Sequence, residues 1–180
     1  MFTLPNKVKI LIALGSFIVC YRIFHADPTE LTLLEAIKAA APIAGKWSSQ
    51  ARPVYIVSTD AGEDSQLTSG ANGARANWNA VFVDPKSGHN LLVAIRRGQP
   101  RYTRQLLMAF KSPINVGDLK YDSPAALHAA RKVGRLIPGM TNYHFELRFE
   151  HHPVMRIYYR SSSGSYRFLD LDEETCRFLP

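Results

Sequence analysis

Cysteine is nearly absent: the 180 residues hold two, Cys20 and Cys176. Cys20 sits in an apolar N-terminal run and Cys176 near the C-terminus, so the two are not expected to meet. No disulfide framework is available, and stability must come from an apolar core. Cys176 reads as a small buried or half-buried residue, not a nucleophile. Other chemistry-bearing patterns are missing too. Ser69-Gly70, Ser87-Gly88 and Ser163-Gly164 do not lie on strand-to-helix elbows, so no hydrolase nucleophile is signalled. Gly70 and Gly73 precede a strand, where a phosphate-cradling loop needs a helix N-terminus. Asp60, Glu63 and Asp64 lack the spacing of a calcium loop and read as a solvated acidic segment. His144, Glu146, Glu150 and His152 share one face of a strand. Residues two apart stand roughly 6.6 Å from each other there, and Arg148 in the middle would repel a cation. A solvated polar face with cross-strand charge pairs is the better reading. These absences point to a non-enzymatic chain with no catalytic residue, no metal and no cofactor.

What is present is a pattern written twice. Residues 78–96 read WNAVFVDPKSGHNLLVAIR and residues 154–172 read VMRIYYRSSSGSYRFLDLD. At a constant offset of 76 positions, Val81 matches Ile157, Phe82 matches Tyr158, Leu92 matches Phe168, and Ser87-Gly88 matches Ser163-Gly164. Each copy is a strand, a tight turn and a strand. Upstream of each lies a helical segment opened by a polar residue and a proline, Asp27-Pro28 and Ser123-Pro124. Leu31, Leu34, Ile37, Lys38 and Ala41 fall on one face of the first helix, which Pro42 is expected to limit. Strands are expected at 54–58, 77–84, 91–96, 144–150, 154–160 and 166–170. Residues 97–121 set Arg101, Arg104, Lys111 and Lys120 around the apolar LLMAF at 106–110, read as a further strand in preference to a short helix. The helix starts are 96 residues apart and the hairpins 76, leaving 20 extra residues in the first copy. Most of these fall in the polar, glycine-rich loop 59–76, expected to be exposed, mobile and a contact surface. The fold class expected is α+β: an N-terminal transmembrane helix, then two helix-plus-antiparallel-sheet repeats. The boundaries are 1–26 for the anchor, 27–100 for the first repeat, 101–121 for a connector and 122–180 for the second repeat.

The front end decides location. Ile10 to Tyr21 carries no charge, with Lys7 and Lys9 before it and Arg22 after it. Residues 8–24, with snorkelling basic side chains, make about 25 Å of helix, the short limit of a bilayer span. No good small-x-small cleavage site follows, and Phe17-Ile18-Val19 before Cys20 do not suit a lipoprotein signal. An uncleaved signal anchor is therefore preferred. Basic residues before the span place the N-terminus in the cytoplasm and the C-terminal domain in the periplasm.

A capped helix followed by antiparallel strands, one carrying a tryptophan before a D-P-x-S-G turn, resembles the PepSY and PepSY-like domains of bacteria. The matching residues are Trp78, Phe82, Asp84 and Gly88 in the first copy. In the second they are Ala125–Ala130, Phe145–Leu147, Ile157, Gly164 and Leu169–Asp170. The resemblance covers residues 28–97 and 123–179; Val154 stands where the second copy would repeat the tryptophan. It implies a cystatin-like unit in tandem, and regulatory or assembly roles outside the cytoplasm, including restraint of peptidases. It supplies no catalytic residues.

Charge and aromatics point to partners. Without Lys7, Lys9 and Arg22 the net charge of +7 falls to +4. Arg96, Arg97, Arg101, Arg104 and Lys111 cluster between the copies, and Arg131, Lys132 and Arg135 lie on the second helix. Such a surface suits anionic headgroups or an acidic partner, though ordinary solubilising charge explains it as well. Nucleic acid is excluded by the expected location. Tyr158, Tyr159, Tyr166 and Phe168 form an aromatic hairpin whose alternation must leave some rings outside the core. The reading is an accessory or assembly subunit of a larger bacterial inner-membrane complex, respiratory or photosynthetic for example. It is anchored in the bilayer through residues 8–24 and docks through its periplasmic domain. Trp78, Arg97, Arg101, Tyr158 and loop 59–76 are the expected contacts. The alternative is a PepSY-type regulator or inhibitor of a peptidase.

Overall fold

The computed structural model describes residues 29–59, 68–107, 110, 112–136, 141–160 and 165–179. The expected anchor at 1–26, the Asp27-Pro28 helix opening, Asp60, Glu63 and Asp64 of the loop, and the Ser163-Gly164 turn lie outside these residues. No helix among the described residues is long and apolar enough to cross a membrane.

The chain is α+β, with few helices and one large antiparallel sheet. In order it runs α1 (Leu33–Trp47), β1 (Arg52–Ser58), β2 (Trp78–Val83), β3 (Asn90–Arg96), β4 (Gln99–Leu106), a 3-10 turn (Val116–Asp118), α2 (Ser123–Lys132), β5 (Thr141–Phe149), β6 (Pro153–Arg160), β7 (Tyr166–Asp172) and β8 (Arg177–Phe178). The eight strands form a single sheet in the order β4-β3-β2-β1-β5-β6-β7-β8. Outward from the central β1/β5 pair, each side is a meander of four strands preceded by its helix.

The alternation of residue types sets the two faces. Trp78, Ala80, Phe82, Leu91, Val93, Ile95, Phe145, Leu147, Met155 and Ile157 point toward the helices and are buried in one continuous core. From α1 this core receives Leu33, Ala36, Ile37, Ala40 and Ala44; from α2 it receives Ala126, Leu127 and Ala130. Trp78 and Phe145 stack at 6.5 Å between centroids, so rings from the two sides of the sheet meet in the core.

Several expectations are corrected here. The first helix begins at Leu33. Its cap is Thr32, in a reciprocal box with Glu35, because Leu31 is held in a bridge to Arg75 and cannot turn helical. The buried face is shifted accordingly, and Ile37 alone of the five expected face residues is buried. Pro42 does not end the helix. It is exposed, and burial of Ala44 with packing of Ile43 and Trp47 carries the helix to residue 47 despite the missing hydrogen bond. The strand expected within 97–121 is present as β4, Gln99–Leu106, and ends before the apolar 107–110. Cys176 is exposed, in a left-handed conformation at φ 59°.

Loop 59–76 is corrected most strongly. Its described end, residues 68–76, is tied down. Tyr143 N donates to Ser69 O at 2.8 Å, Arg131 Nη2 to Ala71 O at 2.9 Å, and Ser123 Oγ to Gly73 O at 2.6 Å. Leu31 and Arg75 exchange backbone bonds at 2.9 Å. Arg75 is buried; its guanidinium donates to Thr68 O and lies 3.5 Å from His144 Nε2. Glycine is required in this strap. Gly73 has φ +85°, and a Cβ there would stand 2.4 Å from Pro124 Cα.

The strap ends at a junction between helices. Asp122 caps α2 and its Oδ1 accepts from Ser123 N at 2.7 Å, but the same oxygen accepts from Leu34 N of α1 at 3.0 Å. Ser123 Oγ accepts from Leu33 N at 2.9 Å while donating to Gly73 O. One carboxylate and one hydroxyl thus serve two helix N-termini.

Two outcomes follow from this junction. Asp122→Ala is expected to lower stability by about 2–3 kcal/mol, the sum of two caps at ~1 kcal/mol or more each, while Asp122→Asn loses less than half of that. Urea unfolding monitored by circular dichroism reads both. Gly73→Ala is expected to cost about 3 kcal/mol, combining a left-handed side chain with a backbone clash, and a variant as stable as the parent would refute the close approach to α2.

Candidate interaction face

The sheet face away from the two helices divides in two among the described residues. On the first half, Val54, Val81 and Val83 form a small buried apolar cluster, with Tyr55, Leu92, Leu106 and Phe110 packed against it. Tyr55 and Phe110 stack at 5.4 Å. On the second half the face is ionic and aromatic.

The ionic part follows from register. Glu146 on β5 is opposite Arg156 on β6, which is opposite Asp170 on β7. These positions alternate with the core residues Phe145, Leu147, Met155 and Ile157, so all three side chains share the open face. Arg156 binds Asp170 through two parallel bonds, Nε to Oδ1 and Nη2 to Oδ2, both 2.6 Å. Arg148 reaches Glu150 at 2.7 Å, Asp170 at 3.3 Å and Glu146 at 3.4 Å. Tyr158 donates its hydroxyl to Glu146 Oε2. The expected cross-strand charge pairs are present, but Glu146 is buried among its partners, and of the row's two acids only Glu150 is exposed to solvent. His152 Nε2 lies 3.2 Å from Asp172 Oδ2 but is not aligned with it as a hydrogen bond. No group of three or more His, Cys, Asp or Glu side chains among the described residues is placed to hold a metal ion.

Above this network sit the rings. The Arg156 guanidinium lies 3.9 Å from the centroid of Phe168 and 5.7 Å from that of Tyr158, whose ring is 6.3 Å from Phe168. Phe168 is 54% exposed and Tyr166 is 64% exposed. The ring over a guanidinium that is already locked to Asp170 is held in place before anything binds. Titration follows the same contacts. Burial would raise the Asp170 carboxyl, but hydrogen bonds and charge from Arg156, with Arg148 beside them, outweigh it and hold it below its ordinary value. The bond to Asp170 raises Arg156 further above its already high value. Burial, with the charge of Glu146, pushes Tyr55 up to about 12.

The expected contact residues do not come together. Trp78 is fully buried, its Nε1 donating to Arg75 O at 2.9 Å and lying 3.2 Å from Leu31 O; it is a core anchor and offers no surface to a partner. Arg97 occupies the β3–β4 turn at φ 54°, half-buried, its amide donating to Asn77 Oδ1. Arg101 is exposed on the edge strand β4, beside a bulge. Tyr158 lies on β6, five strands from β4, or about 24 Å at ~4.8 Å per step. Arg156, Asp170 and Phe168 were missed as a unit. The alignment of an acid, a base and an acid on the polar side of three successive strands is the signal that finds them.

No family model matches the chain, and no curated protein matches it in sequence. Among solved structures, it resembles the crystal structure of a "putative lipoprotein" from Clostridium difficile 630, with a TM-score of 0.52 and 11% identity. The match covers 78% of this chain and 88% of that one. At this identity the likeness shows a shared fold.

The lowered Asp170 value fixes a sign. A carboxyl depressed in the folded state adds stability above its unfolded value, near 4, and loses it as pH falls through the folded value. Thermal midpoints are therefore expected to drop between about pH 5 and pH 2, and Asp170→Asn to flatten that drop. Coincident acid slopes for the two proteins would show that the Arg156–Asp170 pair does not carry the effect.

Proposed function

We propose that this chain is a non-enzymatic, membrane-anchored accessory or assembly subunit of a larger bacterial inner-membrane complex, docking through its extracytoplasmic domain. The observation that carries the proposal is the exposed Phe168 ring set over Arg156, with Tyr166 exposed on the same strand. Large rings flanking a fixed guanidinium are what a partner buries at the centre of an interface, because little side-chain freedom is lost on contact. Support for the location comes from the apolar run at residues 10–21, and the Clostridium neighbour, described as a "putative lipoprotein", is in keeping with it. Arg97 and Arg101 are assigned to a second, peripheral contact with acidic groups, too far from Tyr158 to share one patch. The PepSY resemblance keeps a second reading in view, a tandem-repeat regulator or inhibitor of a peptidase. A capped helix followed by a meander of strands, occurring twice, favours it.

The test is affinity isolation of the full chain from membranes in mild detergent, followed by mass spectrometry. A stoichiometric partner is expected for the parent, with recovery falling about tenfold or more in Phe168→Ala and unchanged stability of the variant. A chain that elutes alone, with and without the substitution, overturns the subunit reading. Recovery of a peptidase whose activity the chain suppresses would select the second.

A further inference from the structure

A cleft of about 490 Å³ opens at the β5–β6 turn end of the second half, lined in part by Phe149, Pro153, Asp118, Lys120, Glu173 and Glu174. Its size is that of a small-ligand site. Glu173 follows β7 and is 1% exposed. Its Oε2 is anchored, accepting Lys120 N at 2.9 Å and Tyr121 N at 3.0 Å. Its Oε1 is buried and accepts no hydrogen bond from any described residue, the Lys120 ammonium included. An ionised carboxylate oxygen left this way is costly, so the group is incomplete as it stands. Burial, with Asp172 and Asp122 nearby, raises Glu173 above its ordinary value, in keeping with a carboxyl that lacks a counter-charge. Two further carboxylates, Asp118 and Glu174, line the same cleft against one lysine, and Phe149 and Prolines 113 and 153 give it apolar wall.

We infer that this cleft is a binding subsite for a primary alkylammonium group, with Glu173 Oε1 accepting from the ammonium and the alkyl stem lying against Phe149 and Pro153. The charge of the ligand supplies what Oε1 lacks, and its stem matches the apolar wall. Oε1 has no accessible surface as the side chains stand, so binding requires a lining side chain to move; Lys120 and Glu174 are exposed at the same cleft. The same chemistry is carried by a free amine and by the lysine side chain of a peptide. The assignment is independent of the docking face proposed above.

The experiment is a titration of the full chain in detergent, followed by the amide resonances of Lys120 and Tyr121, which report on the Glu173 carboxylate directly. The probes are n-butylammonium, a blocked Gly-Lys-Gly peptide and the neutral isostere n-pentanol. Saturable shifts are expected with butylammonium and none with pentanol. Glu173→Gln, which keeps an acceptor for both amides, is expected to bind about tenfold more weakly or worse, the loss of one charged hydrogen bond. Tighter binding of the peptide than of butylammonium identifies a lysine-bearing chain as the natural occupant; the reverse identifies a free amine. Equal shifts with pentanol, or no saturable shift with either cation, overturns the inference. The pentanol comparison in the parent protein keeps it falsifiable if Glu173→Gln does not fold.

Discussion

The Asp122 carboxylate, shared between two helix N-termini, is the constraint on which the arrangement depends. Each N-terminus presents unpaired amides and about half a positive charge, so two placed side by side repel unless an anion stands between them. Here one oxygen accepts from both Leu34 N and Ser123 N, and the neighbouring Ser123 hydroxyl completes the pairing with Leu33 N. The sheet alone joins the two sides only through three residue pairs, Tyr55–Arg148, Ile56–Leu147 and Val57–Glu146. That seam is short for a sheet of this width. The helix junction and the strap at 68–76 hold the same seam from the other face, and together they make one core out of two sets of strands.

The seam also places the open face. Because Tyr55 and Val57 pair with Arg148 and Glu146, the apolar cluster of the first half abuts the ionic network of the second. Burial of Glu146 results: its carboxylate is enclosed by Arg148 and Tyr158 rather than by solvent. Both Glu146 oxygens are engaged, which offsets the cost of burying this acid. Arg156 serves twice, closing on Asp170 with two bonds and supporting Phe168 from below. The exposed ring therefore stands on a chain of contacts that runs back through β6 and β5 to the centre of the sheet.

Much of this was legible in the sequence, and the reasons differ by element. The hairpins and β5 were readable because alternation maps directly onto two faces; Phe145 and Leu147 point inward as their spacing requires. The start of α2 was readable because Ser123-Pro124 is a local signal. The start of α1 was not, since Asp27-Pro28 competes with the Thr32/Glu35 box and a long-range bridge from Leu31 to Arg75 settles the matter. The strap misled for a related reason. Glycine-rich polar chain reads as a loop, but its carbonyls are taken by Tyr143, Arg131 and Ser123, residues 50 to 74 positions away whose approach no local pattern encodes. Trp78 was expected at a surface and is buried because its partners, Arg75 O and Phe145, come from that same strap and from the far half. The ionic row was half legible: each strand showed its polar side, but the alignment across strands depends on register.

The two edges of the sheet limit how such a protein can associate. An exposed edge strand invites addition of another strand, and natural sheets blunt that tendency with short edges, proline, bulges and charge. On one side β8 is two residues long. On the other, β4 is eight residues long but carries Pro100, a register shift opposite Ala94/Ile95, and the exposed Arg101 and Arg104. A second copy brought edge to edge at β4 would set arginines against arginines. Growth of the sheet is thus opposed at both ends by different means, while Phe168 and Tyr166 stay exposed on a face where no such device protects them. Association through the face rather than the edge is what this distribution of charge and aromatic surface favours.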